Sequence, residues 1–152
     1  MDRERLTELE RRLGYRFRDV ALLERALTHS SYANEHPPSA HNEGMAFAGD
    51  AALSLVVAEH LLAAEPQAPV GVLTPRRAAI VSGANLARWA SELGLGPLLR
   101  LGRGEDQTGG RERESVLATA LEAVLGALYL EAGLPAVRRV VAVLADWSPA
   151  TW

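Results

Sequence analysis

Apolar residues recur at helical spacing along nearly the whole chain. In residues 3–13, Leu6, Leu9 and Leu13 are three and four positions apart, which predicts an amphipathic helix that Gly14 ends. No long segment shows the apolar–polar alternation, bounded by turn residues, that is typical of a strand. The pattern therefore predicts an all-α fold.

Caps and helix breakers divide this periodic pattern into about six to seven helices. Asp19 is a favourable N-cap, and Thr74 precedes Pro75, which would occupy the favoured first helical position. Gly133 and Pro135 separate the last two helices. We predict one domain over residues 1–152, with helices at 3–13, 20–28, 43–64, 74–93, 115–132 and 135–147 and with loops at 29–42 and 102–113.

The segments 43–64 and 115–132 are rich in Ala, Leu and Val on nearly every face, which is typical of central, buried helices. The acids on them are therefore unexpected, because a buried carboxylate is costly without a partner. Glu43 and Asp50 are seven residues apart and lie on one face of the first helix, and Glu122 lies on the second. These carboxylates are candidates for an acidic metal site.

Composition narrows the possible chemistry. The 152 residues include no cysteine, which excludes disulfides, cysteine-ligated zinc and thiol catalysis. The charged N-terminus is unlike a signal peptide, and the sequence predicts a soluble, cytoplasmic protein without a membrane partner. The net charge of −3 is unfavourable for a nucleic-acid binder. All sixteen basic residues are arginine, which fits either coding bias or phosphate contacts.

The stretch NEGMAFAGDAAL at residues 42–53 resembles the signature of the ribonuclease III endonuclease domain, which commonly reads NERLEFLGDAVL. Three further stretches are similar to the opening, middle and closing segments of that family. They are residues 13–35, 70–87 and 101–133, and the whole resemblance covers about residues 5–145 in order. Several long colinear matches are far more specific than one short pattern.

The resemblance implies an all-helical endonuclease domain that works as a homodimer on double-stranded RNA. In the family, four carboxylates hold Mg²⁺, which activates water for attack on the phosphodiester. Magnesium prefers oxygen ligands in octahedral geometry and is usually held by carboxylates and substrate phosphate. The metal supplies hydroxide near neutral pH and neutralises charge on the phosphate.

Only two of the four family carboxylates have counterparts here. Asp50 and Glu122 match, and the resemblance makes them the candidate catalytic and metal-binding residues. Ala46 and Thr119 stand at the other two positions. The loss lowers the formal site charge from about −4 to about −2, so Mg²⁺ binding is expected to be weak or absent.

Other matched positions have two readings each. Phe47 corresponds to the aromatic residue that inserts into the partner subunit in the family, although an apolar residue here could also be core. Asn42 and Glu43 are candidates for nucleic-acid contact or for helix capping. Arg76 and Arg77 are predicted to open a helix, where they would contact phosphate or lie on a solvated face.

Two further features have open interpretations. The glycine-rich segment 102–113, GRGEDQTGGRER, is predicted either to follow an RNA backbone or to be a solvated loop. Trp147 and Trp152 are expected to cover the core or a contact surface.

Three functions remain open from the sequence. The first is a ribonuclease III-type domain that dimerises and binds structured or double-stranded RNA, with catalysis lost or strongly impaired. The second is an active Mg²⁺-dependent double-stranded RNA endoribonuclease. The third is a protein-interaction module without an RNA role, which the negative net charge would favour. Enzymes of the family usually carry a separate double-stranded RNA-binding domain, and none is expected within this chain, so its RNA affinity is expected to be modest and sensitive to salt.

Overall fold

The protein is all-helical in a computed structural model, which describes residues 2–147. Eight α-helices and two short 3₁₀ turns account for its secondary structure over these residues, so the all-α prediction is confirmed and the helix count is slightly higher than expected. The α-helices are α1 (Arg3–Leu13), α2 (Val20–Ala26), α3 (Ser30–Glu35), α4 (Glu43–Ala64), α5 (Val70–Ile80), α6 (Gly83–Leu93), α7 (Arg103–Gln107) and α8 (Glu114–Ala145).

The predicted ends of α1, α2 and α4 are confirmed within two residues. Asp2 caps α1 by accepting the amide hydrogen of Glu4, and Gly14 ends the helix at a φ of 72°. Asp19 caps α2 through the amide of Ala21. These ends were predictable because the side chain or glycine at each one satisfies backbone groups that the helix leaves unpaired.

The two predicted loops were wrong in part, because each contains a short helix. Residues 29–42 include α3, which His29 caps by accepting the amide hydrogen of Ser31. Residues 102–113 include α7. The two helices are tied together, since the hydroxyl of Ser31 accepts the amide of Gly102 at 2.8 Å. Such long-range bonds stabilise helices that are too short to form alone.

The predicted helix over 74–93 was also wrong, because two helices meet there. Thr74 and Pro75 lie inside α5, which begins at Val70 because the carbonyl of Pro69 accepts the first amide hydrogens. Ser82 then caps α6 through the amide of Asn85. The Ser82–Gly83 pair was the missed signal, since serine is among the best N-caps.

The predicted division of the last segment at Gly133 is confirmed. Gly133 adopts a φ of 75° and a ψ of −172°, which breaks helical geometry within α8. Pro135 starts the second part of α8, which ends at Ala145. The break turns the chain so that both parts pack on the core, with Ala120, Leu121, Val124, Leu128, Val137 and Val141 fully or nearly fully buried.

Helices α4 and α8 form the centre of the fold and touch through their backbones. A Cβ atom at Gly49 would overlap the carbonyl oxygen of Glu122 and lie 2.8 Å from the amide nitrogen of Gly126. A Cβ atom at Gly126 would lie 2.8 Å from the carbonyl carbon of Met45. The two glycines therefore set the separation of the helices.

Helices α4 and α8 are each long and apolar enough to cross a membrane by length and composition. Within the fold, 44% and 61% of the residues in their most apolar stretches are buried, as in the core helices of a globular domain.

Two features lie at the edge of the core. Helix α5 has no buried residue. Trp147 stacks on His60 at the end of the core, with ring centroids 3.6 Å apart, as expected of a covering residue, whereas Trp152 lies outside the described residues.

Candidate active site between the central helices

Asp50 of α4 and Glu122 of α8 meet where the two glycines bring their helices together. The side chain of Glu122 lies within interaction distance of the side chain of Asp50. Glu122 is half-buried and Asp50 is exposed. The two acids therefore lie at the edge of the core, and the expectation that they would be buried with the rest of their helices was wrong for Asp50.

The surroundings of Glu122 disfavour its ionised form. Burial first, and then the neighbouring Asp50 side chain, raise the pKa of Glu122 from 4.5 to about 8. Each cause disfavours the ionised carboxylate. The close approach of the two acids is therefore unfavourable unless a proton or a cation lies between them.

The positions that would complete the family's set of carboxylates carry no acid. Ala46 lies one turn before Asp50 on α4 and is 7% exposed, and Thr119 lies three residues before Glu122 and is half-buried. Across residues 2–147, no three His, Cys, Asp or Glu side chains are grouped as a metal ion would need. Two carboxyl groups are half of the set expected in the family, so the site offers Mg²⁺ fewer charged oxygen ligands.

The side chain of Asn42, a predicted nucleic-acid contact, is turned into the fold. Its side chain is 3% exposed, and its amide group donates to the carbonyl of Ala26 at 3.0 Å. The side chain makes no capping bond to α4, so the alternative reading as a cap was wrong. Asn42 instead joins the start of α4 to the end of α2. Glu43 is exposed in the first turn of α4, where a negative charge is favourable.

The prediction that Arg76 and Arg77 open a helix was also wrong, because both lie in the second half of α5. Both are exposed. The guanidinium of Arg76 pairs with Glu65 at 2.6 Å. Arg77 lies beside a small groove between α4 and α5. Neither residue has the helix N-terminus that was expected to support phosphate binding.

The arginines of segment 102–113 are largely engaged within the fold. Arg111 donates to the carbonyls of Gly96 and Leu99 and pairs with Asp106 at 2.9 Å. Arg113 pairs with Glu105. The segment is therefore an ordered connection that leads into α8.

Phe47 is 83% exposed on α4, one position after Ala46. The reading of Phe47 as core was therefore wrong, and its position favours the reading as an interface residue. A large exposed aromatic side chain is uncommon on a monomer surface and typical of a contact anchor.

Two structural features of the helices that carry the site were not predicted from the sequence. The first is the glycine pair, although a lone glycine inside an apolar helix, such as Gly126, signals a close backbone approach. The second is Glu131 of α8, which accepts the hydroxyl of Tyr15 and the backbone amides of Arg18 and Asp19. No local pattern marks a carboxylate whose partners lie more than one hundred residues away in the chain.

Two acids face each other between the two central helices of an all-helical fold. This is the arrangement expected of a ribonuclease III-type nuclease domain. The family model described as Ribonuclease-III-like matches residues 19–145. The chain therefore belongs to the ribonuclease III family, and the resemblance seen in the sequence is confirmed.

Individual relatives agree with this assignment. The Ribonuclease 3 of Heliobacterium modesticaldum is 51% identical over 136 residues, which cover 88% of this chain and 58% of that protein. The Ribonuclease 3 of Symbiobacterium thermophilum is 52% identical over 85% of this chain and 54% of its own length. The chain thus spans little more than half the length of these relatives.

Solved structures agree in fold. Two structures of the nuclease domain of ribonuclease III from Campylobacter jejuni each superimpose with a TM-score of 0.87. They are 38% and 37% identical and cover 93% and 98% of this chain. The first is described for structural flexibility in a region involved in dimer formation of that nuclease domain.

Proposed function

We propose that this chain is a cytoplasmic ribonuclease III-type domain that binds structured or double-stranded RNA as a homodimer, with RNA cleavage lost or strongly impaired. The observation that carries the proposal is that Asp50 and Glu122 face each other between the central helices, while Ala46 and Thr119 stand at the positions of the other two family carboxylates. The fold of a nuclease is retained, but half of the acids expected to hold the metal are absent.

The electrostatics of the pair support impaired catalysis. Two carboxyl groups offer a metal ion at most two negative charges, about half of what the family's four would supply. Neutral Ala46 and Thr119 add none. Each tenfold loss of rate corresponds to about 1.4 kcal/mol of transition-state stabilisation, so weakened metal binding readily removes several orders of magnitude.

The exposed side chain of Phe47 supports the homodimer. It projects from α4, the helix that also carries Asp50, so an interface there would lie beside the acid pair. Leu55 and Leu62 add exposed apolar surface further along α4, and Val70 is 73% exposed on the adjacent α5. Together these side chains are an apolar surface that a second protomer would cover.

RNA is the proposed ligand because the chain belongs to a family of RNA nucleases, and not because of its overall charge. With a net charge of −3, affinity must come from local positive charge and from the shape of the dimer. Binding is therefore expected to weaken steeply as salt is added.

The decisive experiment is cleavage of long double-stranded RNA with Mg²⁺ or Mn²⁺ by the unaltered chain and by Ala46→Glu/Thr119→Asp. The matched control is Ala63→Glu/Ser91→Asp, which adds the same charges at exposed positions away from the site. We expect cleavage by the first variant only. We also expect Mg²⁺ to raise the melting temperature of that variant alone, because only a ligand that binds the folded state stabilises it.

The names of the relatives favour a second candidate, an active endoribonuclease. In that case the unaltered chain cleaves duplex RNA efficiently, and Asp50→Asn abolishes the cleavage. That result would overturn the proposal of impaired catalysis while leaving the family assignment unchanged.

A further inference from the structure

A groove lies away from the acid pair, between α1 and the segment 14–20 that follows it. Its volume is about 900 Å³. Four arginines line it, together with one acid, one tyrosine and apolar side chains. The arginines are Arg3, Arg11, Arg16 and Arg18.

The lining of the groove carries a net positive charge, because four arginines stand against one acid, and the two carboxylates nearest the segment are held in fixed positions by hydrogen bonds. Glu10 lines the groove but accepts the backbone amide of Phe17 at 2.6 Å. Glu131 accepts the hydroxyl of Tyr15 and the backbone amides of Arg18 and Asp19. Both carboxylates are therefore tied to the backbone of this segment.

Two of the guanidinium groups have no partner within residues 2–147. Arg3 and Arg16 are exposed, and neither donates a hydrogen bond or forms an ion pair there. Arg11 is held by Glu8, and Arg18 donates to the carbonyl of Glu131. A concentration of unpaired arginine is unexpected on a chain whose net charge is −3.

The groove also has an apolar and aromatic floor. Tyr15 lines it, is half-buried, and packs edge-to-face against Phe17 with ring centroids 5.1 Å apart. Leu6 and Val20 complete the floor. A positively charged groove with aromatic and apolar walls is the usual form of a site for single-stranded nucleic acid, because arginines follow the phosphates while bases contact the rings.

The groove is separate from the acid pair. Glu131, which fixes the segment at the groove, lies nine residues after Glu122 on the same helix. Nine residues correspond to about two and a half turns, so the two carboxylates point to opposite sides of α8 and are about 13 Å apart along its axis.

From this geometry we infer that the groove between α1 and segment 14–20 binds single-stranded RNA, with Arg3 and Arg16 on its phosphates. This inference rests on the proposed function, because it assigns a tail or loop of the structured RNA to a second surface.

The test is fluorescence anisotropy of a labelled ten-nucleotide oligouridylate with the unaltered chain, Arg3→Gln/Arg16→Gln and the control Arg5→Gln/Arg88→Gln. The control removes the same charge from two exposed arginines outside the groove. We expect the groove variant to lose on the order of tenfold in affinity, and its salt slope to fall by about 1.4, as for two lost single-strand phosphate contacts. The control should match the unaltered chain.

The inference is overturned if the unaltered chain does not bind the oligonucleotide, or if the groove variant and the control lose affinity equally. It is also overturned if tripolyphosphate occupies the groove as tightly as the RNA does, because the site would then be one for small polyphosphates. A blunt RNA duplex is titrated in parallel with the unaltered chain. If the chain binds the duplex but not the single strand, this inference is wrong and the proposed function stands. If the chain binds neither RNA, the proposed function is wrong as well.

Discussion

Gly49 of α4 lies so close to Glu122 of α8 that a side chain at position 49 would overlap the Glu122 carbonyl oxygen. Asp50 follows Gly49 directly, so the contact that joins the helices also brings Asp50 to the carboxyl of Glu122. The geometry of the acid pair is therefore set by backbone packing between the two central helices.

Replacing either glycine is expected to separate these helices. Gly49→Ala or Gly126→Ala should destabilise the fold by about 3 kcal/mol or more, because the added methyl group meets backbone atoms that cannot move aside. Urea unfolding measures the change. Gly44→Ala is the control on the same helix. A Cβ at Gly44 has nothing within 4 Å, so the variant should be stabilised by about 0.5–1 kcal/mol. Equal stability of all three variants would contradict the close packing.

The raised pKa of Glu122 predicts a pH dependence of stability. Its pKa is about 8 in the folded protein against an ordinary value of 4.5, so between these values the folded state binds more protons than the unfolded state. The contribution of Glu122 to the free energy of unfolding should therefore be largest below pH 4.5. It should be lost as the pH rises through 8. Urea unfolding at pH 5.5 and 8.5 tests this against Glu122→Gln, which cannot ionise. The unaltered chain should lose more stability than the variant over this interval, and an identical loss in both would refute the assignment.

Phe47 should contribute to assembly and little to the stability of a protomer. Because the side chain is 83% exposed, Phe47→Ala should change the free energy of unfolding of the isolated protomer by no more than about 0.5 kcal/mol. It should weaken self-association by about 2 kcal/mol or more, as truncation of an aromatic anchor does. Sedimentation equilibrium over a range of concentrations separates the two effects. Val143→Ala, which alters a 56% exposed residue on α8, should leave association unchanged.

Glu131 should hold the segment after α1 in place. Burial raises its pKa, but the hydrogen bonds from Tyr15, Asp19 and Arg18 outweigh burial, so the net pKa is lowered. Its contribution is therefore present above pH 4.5 and is lost as the pH falls through the lowered value. Glu131→Gln should cost about 1–3 kcal/mol at pH 7, because an amide group would face backbone donors. Chemical unfolding measures this cost, and Glu112→Gln, at an exposed position, is the control. Equal stability of the two variants would argue against the hydrogen bonds of Glu131 as a stabilising contact.

The helices with strong caps and regular periodicity were predictable from the sequence. Asp19, Gly14 and Gly133 act locally, so a short window contains the information that ends each helix. The short helices α3 and α7 were not predictable in this way. They depend on contacts between distant segments, such as the amide of Arg103 with the carboxylate of Glu35 at 2.8 Å.

The candidate site was predictable in part for the same reason. The family resemblance marked Asp50 and Glu122, and helical spacing placed Asp50 on a definite face of α4. Their proximity could not be read from either helix alone, because it depends on how closely two glycines let the helices approach. The burial of Asn42 could not be predicted either, because its partner, the carbonyl of Ala26, lies sixteen residues earlier in the chain.

The lack of any buried residue in α5 has a consequence for local motion. Eleven residues are too few for a helix to persist in water without support from neighbouring structure, so α5 is expected to open more often than α4 or α8. Its amide hydrogens should exchange with solvent fastest among the long helices of an isolated protomer. Slower exchange at higher protein concentration would then identify α5 as a part of the chain that is ordered by a second copy.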